Sequence, residues 1–166
     1  MNISIEAESE DAMIALGKVL SEGLGGYGAV HITGDLGAGK TTLCRGVLRA
    51  MGHTGAVKSP TFTLVEPYEI EYLGKSRDVY HFDLYRLRDP GERDYVGVDE
   101  YFRPDSLCLI EWPEKATGFL PTYDLHIAID VSGEKRIIGI TAHTVHGEKA
   151  CKRVSEVYNE VLPSNT

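Results

Sequence analysis

Eight residues constrain this chain more than any others: Gly34-Asp35-Leu36-Gly37-Ala38-Gly39-Lys40-Thr41. They satisfy every fixed position of the pattern G-x-x-x-x-G-K-[ST]. Glycines let the backbone turn so that successive N–H groups face inward at phosphate oxygens, and the helix that follows adds its positive N-terminal end. The pattern also occurs by chance in glycine-bearing loops, so its context decides. Here the apolar stretch Ala29–Thr33 reads as a strand before the loop. Thr41–Met51 carries Leu43, Val47, Leu48 and Met51 at helical spacing, with Gly52 as a stop. In that setting Lys40 reaches the β- and γ-phosphates and the Thr41 hydroxyl ligates Mg²⁺. Guanine-reading P-loop proteins usually carry N-K-x-D. Asparagine occurs here only at Asn2, Asn159 and Asn165, none followed by Lys, which favours ATP.

A chain of 166 residues with 42% apolar and 25% charged content suits one compact domain, 1–166, able to bury a proper core. The elements expected beside the loop are a strand over Ile3–Glu6 and a helix over Glu10–Ser21 capped by Ser9, then a turn over Gly23–Gly28. Strands over Thr63–Ile70 and Asp78–Leu84 form an antiparallel pair around Leu73–Ser76. A short helix is expected over Asp89–Tyr95. The continuous apolar run Leu107–Glu111 reads as a buried parallel strand. Leu125–Asp130 and Arg136–Thr141 form a second hairpin, and a helix over Glu148–Val161 closes the chain. The fold class is therefore α/β: a three-layer P-loop NTPase fold with a mixed, mostly parallel sheet and antiparallel hairpins.

A Mg²⁺–nucleotide site usually needs one more acidic group at the end of a neighbouring strand. Glu111 ends the run Leu107-Cys108-Leu109-Ile110 and would arrive at the carboxyl edge of the sheet, where open α/β sheets bind ligands. The alternative for Glu111 is a solvated strand-end acid. Asp83, in His81-Phe82-Asp83-Leu84-Tyr85-Arg86, is the second candidate; it either serves the site or pairs with Arg86 or caps a turn. His81 reads as a packed polar residue and receives no role. Ser59–Thr63 is either a switch segment contacting phosphate and metal or a turn imposed by Pro60. Trp112 packs either near the nucleotide or in the core. The net charge of −8 argues against this chain wrapping nucleic acid by itself. Three scattered cysteines, no apolar leader and no membrane-length apolar run point to a reduced cytoplasmic protein.

Four blocks together resemble the TsaE proteins, also called YjeE: Gly34–Arg45 (GDLGAGKTTLCR), Val57–Glu66 (VKSPTFTLVE), Tyr80–Leu87 (YHFDLYRL) and Leu109–Glu114 (LIEWPE). The resemblance implies a mixed sheet with helices on both sides and a slow, Mg²⁺-dependent ATPase. It implies work alongside the TsaB–TsaD pair in making threonylcarbamoyladenosine in ANN-decoding tRNAs, with tRNA held only through those partners. Carried over by motif, Gly37, Ala38, Gly39, Lys40, Thr41 and Thr42 bind nucleotide, Thr41 and Glu111 hold Mg²⁺, and Lys40, Asp83 and Glu111 serve catalysis. Arg136, in the second hairpin, reaches the nucleotide. Two rival readings share the loop: a small-molecule kinase, against which no Arg-rich lid segment is seen, and a nucleotide-sensing adaptor that does not hydrolyse.

Overall fold

In a computed structural model, residues 1–57, 60, 62–88, 98–158 and 162–163 are described, apart from the side chains of 98, 99, 162 and 163. The strand before the phosphate loop is the axis of the fold. β2 (Gly28–Gly34) lies between β5 (Leu107–Glu111) and β6 (Leu125–Ser132), parallel to both. β4 (Lys75–Asp83) continues the parallel run beyond β5, and β3 (Val65–Tyr72) closes that flank as an antiparallel hairpin partner. On the other flank β7 (Lys135–Ala142), β1 (Asn2–Ala7) and the short β8 (Leu162–Pro163) follow antiparallel, giving the order β3-β4-β5-β2-β6-β7-β1-β8. The parallel character foreseen for most of the sheet is thus confined to its four central strands. β5 is buried at every position, as a strand covered on both faces must be.

The three long helices, α1 (Glu10–Leu24), α2 (Lys40–Met51) and, near the end of the chain, α4 (Val145–Val157), share one face of the sheet. Leu43, Val47, Leu48 and Met51 of α2 are buried there with Val30 and Ile32 of β2, and each such side chain contributes roughly 1.5–3 kcal/mol on burial. α1 and α2 cross with almost no space between their backbones. A Cβ on Gly46 would sit 2.6 Å from the Ile14 carbonyl oxygen, and one on Gly17 would sit 2.7 Å from the Gly46 backbone. The opposite face carries a smaller cluster of Phe82, Cys108, Ile110, Leu84 and Ala116. Tyr101 of the short α3 (Val98–Tyr101) and Phe102 pack against it, and a 3₁₀ turn over Pro113–Ala116 supplies Ala116.

Local chemistry explains where boundaries move from the expected ones. Ser9 caps α1 by accepting from Ala12 N–H at 3.0 Å, and the left-handed Gly25 ends it, so the helix runs past Ser21 to Leu24. β3 starts at Val65, not Thr63, because Leu64 has a left-handed φ of 68°. α4 starts at Val145, not Glu148: the Thr144 hydroxyl accepts from Gly147 N–H at 3.0 Å and donates to Asp124 Oδ1 at 2.6 Å. It ends at Val157, short of Val161. The helix expected over Asp89–Tyr95 lies outside the described residues. No helix among the described residues is long and apolar enough to cross a membrane.

Candidate active site

The β2–α2 connection places the loop at the carboxyl edge of the parallel strands. Gly34 leaves β2 at φ 152°, with so little clearance that a Cβ would lie 2.7 Å from the Ile129 carbonyl oxygen. Lys40 opens α2 and is only 4% exposed. Its ammonium donates to the carbonyls of Gly34 and Asp35 at 2.6 and 2.7 Å and sits 4.5 Å from the centre of the Trp112 ring. Burial pushes the Lys40 pKa down, while Glu111, Asp83, Glu114 and Asp35 pull against that shift. The tryptophan, which directly follows Glu111 in a left-handed conformation, φ 58°, does both: its ring packs against the Phe82–Ile110 cluster and stands over the Lys40 ammonium.

Strand register brings the acids together. Asp83 of β4 stands opposite Glu111 of β5, one strand away from the end of β2. Glu111 is 2% exposed, which removes the solvated-acid alternative. The Thr41 hydroxyl lies 3.1 and 3.0 Å from its two carboxylate oxygens, and His81 Nε2 lies 2.5 Å from Oε2. Asp83 is buried and its Oδ1 accepts from Tyr85 N–H at 3.0 Å, so it caps the turn after β4 while standing beside Glu111. A hydroxyl and a buried carboxylate meeting beside a second carboxylate form a hard oxygen donor set, which fits Mg²⁺.

The remaining sequence-named residues border one cleft of about 260 Å³, lined by Ser9, Gly37, Ala38, Gly39, Thr42 and Arg136 among others. Arg136 Nε donates to the Ala38 carbonyl at 3.0 Å, linking the β6–β7 hairpin to the loop. Of the proposed switch segment, Ser59 and Thr61 lie outside the described residues. Phe62 is 84% exposed, with the Arg86 guanidinium 4.6 Å from its ring centre.

The family model for the threonylcarbamoyl adenosine biosynthesis protein TsaE matches residues 7–138. The chain belongs to the TsaE family. It is 54% identical over 119 residues to the tRNA threonylcarbamoyladenosine biosynthesis protein TsaE of Haemophilus influenzae, covering 72% of this chain and 73% of that one. To the protein of the same name from Bacillus subtilis it is 39% identical over 125 residues, 75% of each chain. The crystal structure of Bacillus subtilis YdiB superposes with a TM-score of 0.77 at 28% identity, covering 95% of this chain and 96% of that one.

Within this TsaE-family fold, two contributions escape sequence reasoning. His81 shares the face of Asp83, two residues later, by strand alternation, which is the signal in the chain that points to it. Ser9 has the local signature of a helix cap, and nothing local in the chain hints that it borders the same cleft as Arg136.

Proposed function

We propose that this protein is a Mg²⁺-dependent P-loop ATPase that acts in the biosynthesis of threonylcarbamoyladenosine in tRNA, in partnership with the TsaB–TsaD pair. The observation that carries the reading is the meeting of Lys40, Thr41 and Glu111 at the mouth of the phosphate loop. Family membership and the names of the relatives supply the pathway. In this reading the loop amides and the Lys40 ammonium hold the β- and γ-phosphates. The ammonium exchanges its contacts with the Gly34 and Asp35 carbonyls for phosphate oxygens. Thr41 and Glu111 hold Mg²⁺, which when bound neutralises charge on the phosphates. Asp83, beside Glu111, orients the attacking water, and Trp112 keeps bulk solvent from Lys40. Ala38 and Arg136 border the cleft that takes the rest of the nucleotide. The net charge of −8 leaves tRNA to the partners.

The deciding experiment is reconstitution with the TsaB–TsaD pair, following tRNA modification over many turnovers. ATP with the wild-type chain should sustain repeated cycles, whereas a non-hydrolysable analogue, or Lys40→Ala with ATP, should stop after at most one. Modification by Lys40→Ala at the wild-type rate would overturn the proposal. Sustained cycling with the analogue would leave a sensing adaptor in its place.

A further inference from the structure

Behind Glu111 stands a ring that the mechanism above does not use. His81 is fully buried on β4, and its Nε2 lies 2.5 Å from Glu111 Oε2. A carboxylate accepts, so Nε2 carries the hydrogen and donates it. That leaves Nδ1, which is buried and has no hydrogen-bond partner among the described residues. A ring kept only to fill space gains nothing from a stranded nitrogen, since an apolar side chain of similar size would pack there without one. Cys44 closes the same space: one ligand-type atom from each of Cys44, His81 and Glu111 lies within 4.8 Å of the others, and all three residues are buried. The same carboxylate meets the Thr41 hydroxyl with both oxygens, Oε1 at 3.1 Å and Oε2 at 3.0 Å.

The geometry points to His81 as a positioning residue: by holding Oε2 of Glu111, it fixes the carboxylate against the Thr41 hydroxyl in the orientation in which it would serve as a ligand for a divalent cation. This rests on the reading of the site as a Mg²⁺–nucleotide site. The terminal torsion of a glutamate is soft, so a carboxylate without a second partner turns easily. Here it would turn within the field of the Lys40 ammonium, to which it is electrostatically coupled. Partners that orient a metal ligand typically alter metal affinity ten- to a hundredfold when removed, and His81 stands in that relation to Glu111.

The test uses the whole chain and three variants. His81→Leu removes the donor, His81→Asn leaves an amide too short to reach Glu111, and His81→Gln extends an amide N–H to about the place of Nε2. ATP affinity is measured by calorimetry in EDTA and across a Mg²⁺ titration, and Mn²⁺ binding is followed by paramagnetic resonance. His81→Leu and His81→Asn should raise the Mg²⁺ needed for half-effect by about ten- to a hundredfold, with His81→Gln within about threefold of wild type. ATP affinity in EDTA should stay within about twofold for all three, because the loop is untouched. If His81→Leu does not fold, the Asn–Gln pair decides alone. Wild-type Mg²⁺ dependence in His81→Asn overturns the inference. So does a loss of ATP affinity in EDTA as large as the loss of Mg²⁺ affinity, which would mark a merely structural role. Cobalt(II) giving intense thiolate absorption would put the ion behind the carboxylate on Cys44 and His81, and overturns it too. A wild-type chain whose ATP binding ignores Mg²⁺ would instead overturn the metal–nucleotide reading itself.

Discussion

Two of the histidine environments in this molecule differ sharply. His81 is committed to one carboxylate. On the sheet face away from the long helices, His31 stacks on Tyr123 at 4.3 Å, and Tyr123 stacks on His143 at 4.7 Å. Thr33 and His126 are hydrogen-bonded beside them at 2.8 Å, in a cleft that Glu114 also lines. Burial, helped by His126, lowers the His31 pKa from 6.5 to about 4. The unfolded chain holds that proton more tightly than the folded one. The stability tied to neutral His31 is therefore complete above about pH 6.5 and is lost as the pH falls toward about 4. His31→Phe keeps a ring on Tyr123 and removes the proton. Its melting temperature should fall less than that of wild type between about pH 7 and about pH 5. Parallel declines in calorimetric scans would clear His31 of any part in acid sensitivity.

Among the elements, α1 and α2 approach closely, and their contact bears directly on the loop because α2 begins at Lys40. A Cβ at Gly46 would press on the Ile14 carbonyl and Cα at 2.6 and 2.9 Å, atoms that a helix backbone cannot move aside cheaply. Gly46→Ala should therefore destabilise by about 1–3 kcal/mol despite its better helix propensity, read as a shift in urea midpoint without a change in slope. An unchanged midpoint would mean that the helices part without cost. Element positions were largely legible. The periodicity of Leu43, Val47 and Leu48 and the alternation along β6 and β7 are local patterns that burial enforces. Boundaries were less legible where a distant partner sets them: Thr144 begins α4 three residues early because Asp124, twenty residues away, anchors its hydroxyl.

Taken whole, the molecule keeps its chemistry at one edge of a sheet whose long helices lie on the other side from the His31 cleft. Lys40 and Arg136 are the cations seen at the loop; Lys40 donates to the loop's own carbonyls, and Arg136 divides its hydrogen bonds between the Ala38 carbonyl and that of Lys135 beside it. Hydrolysis by the isolated chain should accordingly be slow, on the order of 10⁻⁴ to 10⁻² per second, as in P-loop hydrolases with no arginine supplied by a partner. Phosphate-release measurements with and without the TsaB–TsaD pair would check this. A rate of tens per second from the purified chain alone would remove the need for a partner in the hydrolytic step.

What the chain determined by itself is the part of the site that is contiguous along it. The glycines shape the backbone while Lys40 and Thr41 bring their side chains in at one helix terminus, so eight consecutive residues specify the loop motif and demand a strand before it and a helix after it. The partnerships were decided only in three dimensions. His81 reaches Glu111 across 30 residues, Thr41 reaches it across 70, and Arg136 reaches Ala38 across 98. Those contacts depend on strand order and register, in which a one-residue slip turns a side chain to the opposite face. The chain therefore announced the loop motif, while the sheet determined which carboxylate meets Thr41 and which imidazole stands against it.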